Sequence, residues 1–321
     1  MYSGKQVLVT GGTGFIGSNL VECLIKLGAN VRVISRGNKR NKLPESGVET
    51  IEGDLTQLNT CRNAARGMDY VFHLAAAGGG LIYNMNHPAG TLTPNLLINT
   101  NMLEAARLEN VDRYLFTSSS SVYPPNLDKL VEEKAWDGNP HGSDSFFAWS
   151  KRMGELQAQA YAEEYDMSIA LVRLGNPYGP RDNFDLETSH VIPALINKAM
   201  HKVNPLVVLG TGEAIRSFVH VRDVVSAMTQ VLEVYTDCDP VNIASGSVKI
   251  KELVNIILEL TKYKGKLEFD SSKPEGHLLK VMDIKKLEDK VGYKPKINLR
   301  EGIKDTVDWY LNENDLINTY E

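Results

Sequence analysis

The 321-residue chain has an ordinary soluble composition and enough apolar material to bury a sizeable core. Its formal charge of −5 makes no electrostatic case for nucleic acid or an anionic membrane surface, and no apolar run reaches membrane-spanning length. Three scattered cysteines, Cys23, Cys61 and Cys238, form no C-x-x-C pair, so neither a disulfide framework nor a thiolate metal site is expected, and no metal is assigned.

The chain leads directly into a buried strand, Gln6–Thr10, which leaves no room for a signal peptide and predicts a cytoplasmic protein. The strand runs into Gly11, Gly14 and Gly17, with Thr13, Phe15 and Ile16 between and beside them. A helix follows at once, with Ile16, Leu20, Cys23, Leu24 and Leu27 on one face and Gly28 as its stop. Strand, glycine turn and helix in this order predict a dinucleotide site rather than a tight turn that binds nothing: backbone would approach the pyrophosphate, and the helix N-terminus would face the phosphates. A second strand, Asn30–Ser35, ends at Ser35 and Arg36, with Lys39 and Arg40 close by. NAD-selective folds place a carboxylate here for the ribose hydroxyls. A serine and a guanidinium suit a 2′-phosphate better, so NADP(H) is favoured over NAD(H), the plain alternative being a solvated basic turn.

A third strand at 48–53 ends at Asp54 and Leu55, within reach of an adenine. A short helix at 59–65 and a strand at 70–74 lead to Leu74, Ala75, Ala76 and a run of glycines. Such small residues let a flat cofactor lie against the backbone, or form a flexible turn. Pro94 introduces a helix at 95–108, and a strand at 113–117 opens into four serines, 118–121. The polar segment from there to Ser145 is expected to be a substrate-facing loop. Helix 147–165 and strand 168–174 complete an alternating pattern, which is a doubly wound parallel sheet of the Rossmann type. The remainder predicts a helix at 190–202, strands Leu206–Leu209 and Ile215–His220, helix Val221–Val234 and a strand at 241–244 returning to the main sheet. Helices at 251–261 and 299–312 belong to a smaller α+β C-terminal substrate domain. The expected division is 1–175, with a returning segment near 215–245, and 176–321.

Thr10-Gly-Gly-Thr-Gly-Phe-Ile-Gly17, the serines before Val122-Tyr123, Ser150-Lys151 and Asn176-Pro-Tyr-Gly-Pro180 resemble the extended short-chain dehydrogenase/reductases that modify nucleotide sugars. The resemblance spans essentially the whole chain. It is strongest to the GDP-L-fucose synthases, through 95–101, 182–184, 189–195, 215–220, 272–276 and Lys280. It implies a hydride transfer between nicotinamide and a sugar carbon, a nucleotide-diphosphate-sugar substrate, and a homodimer built on the helices at 95–108 and 147–165. In this family a tyrosine four residues before a lysine moves the proton, the lysine lowers the phenol pKa, and a hydroxyl holds the sugar oxygen. Lys151 matches the lysine, Ser119 the hydroxyl with Ser120 and Ser121 beside it, and Asn95 a supporting asparagine. Asn176, Arg216 and Lys280 match positions that line the sugar or pyrophosphate, and His190 and Val191 a substrate-facing helix start.

Two positions depart from the family pattern. Phe147 stands where the tyrosine belongs, keeping the ring without the proton. It reads as an engineered replacement made to trap a complex, which the intact surroundings favour, or as a natural change that alters or removes the redox chemistry. Ser121 stands where fucose synthases carry a cysteine that works with the matching histidine, here His190. A serine hydroxyl is too weak an acid to replace that thiol, so His190 acts alone or only contacts substrate. The resulting expectation is an NADPH-dependent 4-keto-sugar-nucleotide reductase. The alternatives are a 4-epimerase or, of another class, a non-catalytic nucleotide-binding sensor.

Overall fold

The computed structural model describes residues 1–37, 43–44, 46–79, 81–140, 145–272 and 278–314. Lys39, Arg40 and most of the 272–276 stretch lie outside the described residues. From the N-terminus, β1 (Gln6–Thr10) leads to α1 (Phe15–Lys26), β2 (Asn30–Ser35), β3 (Val48–Glu52), α2 (Leu58–Ala65) and β4 (Tyr70–His73). Then come α3 (Leu81–Asn86), α4 (Pro88–Leu108), β5 (Arg113–Ser119), α5 (Ser145–Tyr165) and β6 (Ile169–Leu174). The C-terminal half holds β7 (Asn176–Tyr178), α6 (Val191–Met200), β8 (Leu206–Leu209), β9 (Ile215–His220), α7 (Val221–Val234) and β10 (Val241–Ile243). It ends with β11 (Ser247–Lys249), α8 (Ile250–Leu260), β12 (Leu267–Asp270), β13 (Leu279–Lys280) and α9 (Leu299–Glu313).

Seven strands form one parallel sheet in the order β10-β6-β5-β4-β1-β2-β3. Period-two alternation gives it two buried faces. Val7, Val9, Val31, Val33 and Leu115 pack with Leu20, Leu24, Val224 and Met228 on the side of α1 and α7. Leu8, Ile34, Val71 and Phe116 pack with Cys61, Met102, Leu103 and Ala158 on the side of α2, α4 and α5. Each such aliphatic side chain taken out of water contributes roughly 1.5–3 kcal/mol. A third core joins Ile192, Ile196, Phe218, Leu253, Ile257, Ile303 and Tyr310, around β9 and its neighbours β7, β11 and β13.

Several expectations are corrected. α4 starts at Pro88, with His87 as its N-cap, and Pro94 sits inside it. Proline at the first helical position is favourable; the interior one removes a bond to the carbonyl of Gly90, an exposed residue where solvent can compensate. Leu27 lies past the end of α1 and is exposed, while Val21 joins the buried face. The segment after the serines is not an open substrate-facing loop through its first part. Val122, Tyr123, Leu130 and Ala135 are buried against Ala244 and Met282. Arg152 holds this segment to α5, donating to the carbonyls of Val122 (2.8 Å) and Ala135 (2.5 Å). The short elements α3, β7, β11, β12 and β13 have too few residues to show a period.

From β1 the chain first builds outward through β2 and β3, then returns to β4 on the opposite side. The order therefore reverses between β1 and β4, and the crevice at their carboxyl ends is where such sheets bind ligands.

Candidate active site

The turn after β1 is shaped for close approach. Gly11 has φ +69°, and a Cβ there would lie 3.0 Å from the amide nitrogen of Ala75, at the end of β4. A Cβ on Gly17 would sit 2.1 Å from the Gly11 carbonyl oxygen, so only glycine lets α1 start this close to the strand. Gly14 caps α1 without a side-chain hydrogen bond, and the first intrahelical bond runs from Ser18 N to Gly14 O. The amides of Phe15, Ile16 and Gly17 precede it, at the positive end of the helix dipole. Thr13 is half-buried in the same turn. These features fit a pyrophosphate.

At the end of β2, Ser35 donates to the carbonyl of Gly37 (2.7 Å) and folds the turn, while Arg36 is exposed. Asp54 is also exposed; one carboxylate oxygen accepts from Thr56 N (3.0 Å) ahead of α2. The Leu55 side chain is buried in the core, so only its backbone is at the strand end. Leu74 and Ala75 are half-buried and Ala76 is exposed.

Asn95 does not face the crevice. Its carboxamide is used up on the loop after β4, accepting from Ala77 N (2.8 Å) and donating to Ala77 O (2.6 Å) and Thr91 O (2.7 Å). Beneath that loop lies a buried chain absent from the sequence reading. Thr10 Oγ1 accepts from the amides of Leu74 and Ala75, both at 3.1 Å, so its proton points to His73 Nδ1 at 2.9 Å. His73 Nε2–H then donates to Asn99 Oδ1 (3.1 Å), and Asn99 Nδ2 to Ser150 O (3.3 Å). Burial, with the nearby Lys151 charge, drives the His73 pKa down to about 3, so the imidazole stays neutral.

Lys151 sits one residue further along α5 and is buried, its Nζ donating to the carbonyl of Thr117 at 2.8 Å. Desolvation lowers its pKa to about 8, with Glu155 acting in the opposite direction. Phe147 is half-buried one turn earlier, its ring centroid 5.6 Å from Nζ. Ser119 Oγ accepts from Ser121 N (3.2 Å) and Ser121 Oγ (3.1 Å), which leaves its own hydrogen to donate elsewhere. Ser120 is half-buried in the turn that follows, and Ser121 is buried. Trp149 stacks on the Arg152 guanidinium (5.2 Å), on another face from Lys151.

A second buried network supports this edge. Glu155 takes two bonds from Arg173, at 2.9 and 2.7 Å, and one from Ser118 Oγ at 2.5 Å. Arg173 also donates to Tyr123 OH (3.2 Å), which donates to Asn242 Oδ1 (2.6 Å). The network ties the serine strand end to β6, α5 and the returning β10.

A cleft of about 640 Å³ opens at the switch point. Its lining brings the glycine turn and α1 start (Gly11, Gly14, Phe15, Ile16, Gly17), Leu74, Gly78, Gly79 and Tyr83 together with Thr117 and with Pro177, Asp182, Asn183, Thr188 and His190 from the C-terminal half. His190 keeps an open side, and the atoms crowding its remaining sides lower its pKa, so it is neutral near pH 7. Val191 follows it at the start of α6. Lys151 reaches the cleft through Thr117; Ser119 and Phe147 are outside its lining. Asn176 donates to Ser217 O (2.7 Å). Arg216 and Lys280 are register partners on the parallel pair β9 and β13, which sets two cations side by side.

Residues 7–244 match the NAD dependent epimerase/dehydratase family. The chain belongs to that family. This family member is 34% identical over 316 residues to a protein named probable GDP-L-fucose synthase 1 of Oryza sativa subsp. japonica, covering 96% of this chain and 92% of that protein. Among solved structures it resembles a GDP-L-fucose synthetase from Naegleria fowleri bound to NADP, with TM-score 0.84, 26% identity and coverage of 98% and 95%. It also resembles UDP-glucose 4-epimerase from Thermotoga maritima with UDP-glucose, with TM-score 0.86, 26% identity and coverage of 96% and 99%.

In this epimerase/dehydratase family member, sequence reasoning missed His73, Asn99, Thr117 and the Glu155–Arg173 pair. His73 and Arg173 carried a signal, being polar residues inside otherwise apolar strand runs, where burial demands a partner.

Proposed function

We propose that this protein reduces the 4-keto group of a nucleotide-diphosphate sugar with NADPH. The observation that carries the reading is the cleft itself. Its lining brings together the Gly11–Gly17 turn, His190 and Thr117, the residue whose carbonyl holds Lys151. Residues 1–175 and the returning 215–245 segment would hold the dinucleotide, the rest mainly the nucleotide sugar. The amides at the start of α1 would take the pyrophosphate, Arg36 the adenosine 2′-phosphate together with Ser35 once its hydroxyl turns from the Gly37 carbonyl, and Asp54, with the Leu55 backbone, the adenine. Leu74, Ala75 and Ala76 would bound the ring, with Asn95 fixing their loop. When bound, the dinucleotide supplies the hydride that is added to the sugar carbon. Ser119 Oγ, left with a hydrogen, would hydrogen-bond the sugar oxygen, and Lys151, protonated and held on the Thr117 carbonyl, would supply the proton that the alkoxide takes up, replenished from solvent. Phe147 fills the place of the missing phenol and moves no proton. Arg216, Lys280 and Asn176 would bind the sugar diphosphate, and His190 and Val191 the sugar. The fucose synthase names among similar proteins, and the NADP in the Naegleria fowleri structure, support this assignment.

A 4-epimerase is the second reading, favoured by Ser121 in the cysteine position and by the likeness to the Thermotoga maritima enzyme. The non-catalytic sensor has only Phe147 behind it, and the proteins it resembles are enzymes. Stoichiometry separates the readings. The protein and its Phe147→Tyr variant are incubated with NADPH and a panel of GDP- and UDP-linked 4-keto sugars. A reductase oxidises one NADPH per sugar converted. Interconversion of 4-hydroxy epimers without net oxidation would instead establish the epimerase, and inertness in both assays would sink the enzyme reading.

A further inference from the structure

Thr117 holds a group that the proposed roles leave unused. The residue ends the buried run of β5, is only 7% exposed, and lines the cleft. Its carbonyl is engaged by Lys151 Nζ. Its side-chain Oγ1 is buried and has no hydrogen-bond partner among the described residues. The adjoining hydroxyls differ: Ser118 donates to Glu155, and Ser119 accepts from Ser121. Strand alternation explains the contrast. Ser118 turns toward α5 and finds its carboxylate there, whereas Thr117 turns to the face of Leu115, the side of α1 and α7. Gly14 and Gly17, at the start of α1, line the same cleft as Thr117. A buried hydroxyl without a partner costs stability, and such groups persist where a ligand completes them.

We propose that the Thr117 hydroxyl is a binding group for the uncharged polar part of the nicotinamide nucleoside, its ribose hydroxyl or carboxamide; this rests on the dinucleotide reading above. A neutral hydroxyl that both donates and accepts suits a neutral amide or hydroxyl rather than a phosphate, which the helix N-terminus already serves. One residue then bonds the cofactor through its side chain and Lys151 through its backbone, so the lysine is held in register with the nucleoside.

Thr117→Val keeps the shape and removes the hydroxyl, and two measurements on the full chain read the result. Dissociation constants for NADPH and NADH are taken by quenching of protein fluorescence, and melting temperature is taken without cofactor. The expected result is a three- to tenfold weaker NADPH affinity, of the order of one neutral hydrogen bond, in a protein that melts no lower than wild type. Thr117→Ser should bind within about twofold of wild type. Unchanged affinity in Thr117→Val would overturn the inference. So would a lower melting point without cofactor, because the hydroxyl would then be satisfied internally. If the wild type bound neither dinucleotide, the dinucleotide reading would fall and take this inference with it; wild-type binding with an indifferent Thr117→Val removes the inference alone.

Discussion

Placing a phenol at position 147 is the sharpest test of the site. Phe147 is half-buried on α5, with its ring centroid 5.6 Å from Lys151 Nζ, so Phe147→Tyr adds one hydroxyl to a ring already in place. Folding stability should change by less than about 0.5 kcal/mol, since the added atom is at a partly open edge. A unit charge about 5 Å from the phenolate, at an effective dielectric near 20, is worth roughly 3 kcal/mol. That amounts to about two pKa units and brings a phenol from about 10 toward 8. Lys151, with its pKa near 8 set by burial, is mostly protonated at pH 7 and can exert that effect. General acid–base catalysis of this kind contributes about 10²- to 10⁴-fold, or roughly 3–5 kcal/mol of barrier. Turnover of a suitable 4-keto or 4-hydroxy sugar nucleotide should rise by that factor, read as loss of reduced-nicotinamide absorbance or as epimer formed. Affinity for sugar nucleotide and cofactor should barely move. Adding Lys151→Met to Phe147→Tyr should erase most of the gain. If Phe147→Tyr stays inert toward every nucleotide sugar that the protein binds, the proposed chemistry is wrong.

Arg36→Ala should weaken NADPH binding by about tenfold, the scale of one exposed charge-assisted contact, and leave NADH unchanged; equal losses for both would refute the 2′-phosphate assignment. The ligand-free protein should gain stability as pH rises from about 8 to 10.4, because Lys151, near 8 when folded, binds fewer protons there than an unfolded lysine. Lys151→Met should remove that rise, roughly 3 kcal/mol, from urea midpoints measured across the window, and parallel curves would count against a buried lysine. Arg173→Met strands a buried Glu155 and should cost about 3–5 kcal/mol by thermal melting, with Glu155→Leu recovering most of the loss; a small cost would mean the pair is not dry. Leu97, Phe146 and Leu156 are exposed apolar residues on α4 and α5, the helices expected to pair, so sedimentation at micromolar concentration should show a homodimer, and a monomer would end that expectation.

Local signals specified much of the secondary structure of this protein. The main strands are short runs of β-branched and aliphatic residues and α7 has a clear 3.6-residue pattern, so β1, β2, β8, β9 and α7 fall where the sequence puts them. The glycines are equally legible, because backbone geometry at Gly11 and Gly17 permits no other residue. Phe147, four residues before Lys151, could also be seen, since an i, i+4 pair on one helix is a local relation. Only the tertiary structure decided which polar residues meet. Thr10, His73, Asn99 and Ser150 are far apart in the chain and form one relay because β1, β4, α4 and α5 converge beneath the cleft. The same convergence consumes Asn95 on a loop, pairs Glu155 with Arg173, buries the segment after the serines, and sets Arg216 beside Lys280. Burial supplies the physical reason: once water is excluded, each polar atom must find whatever partner the packing brings, and no local pattern in the chain encodes that choice.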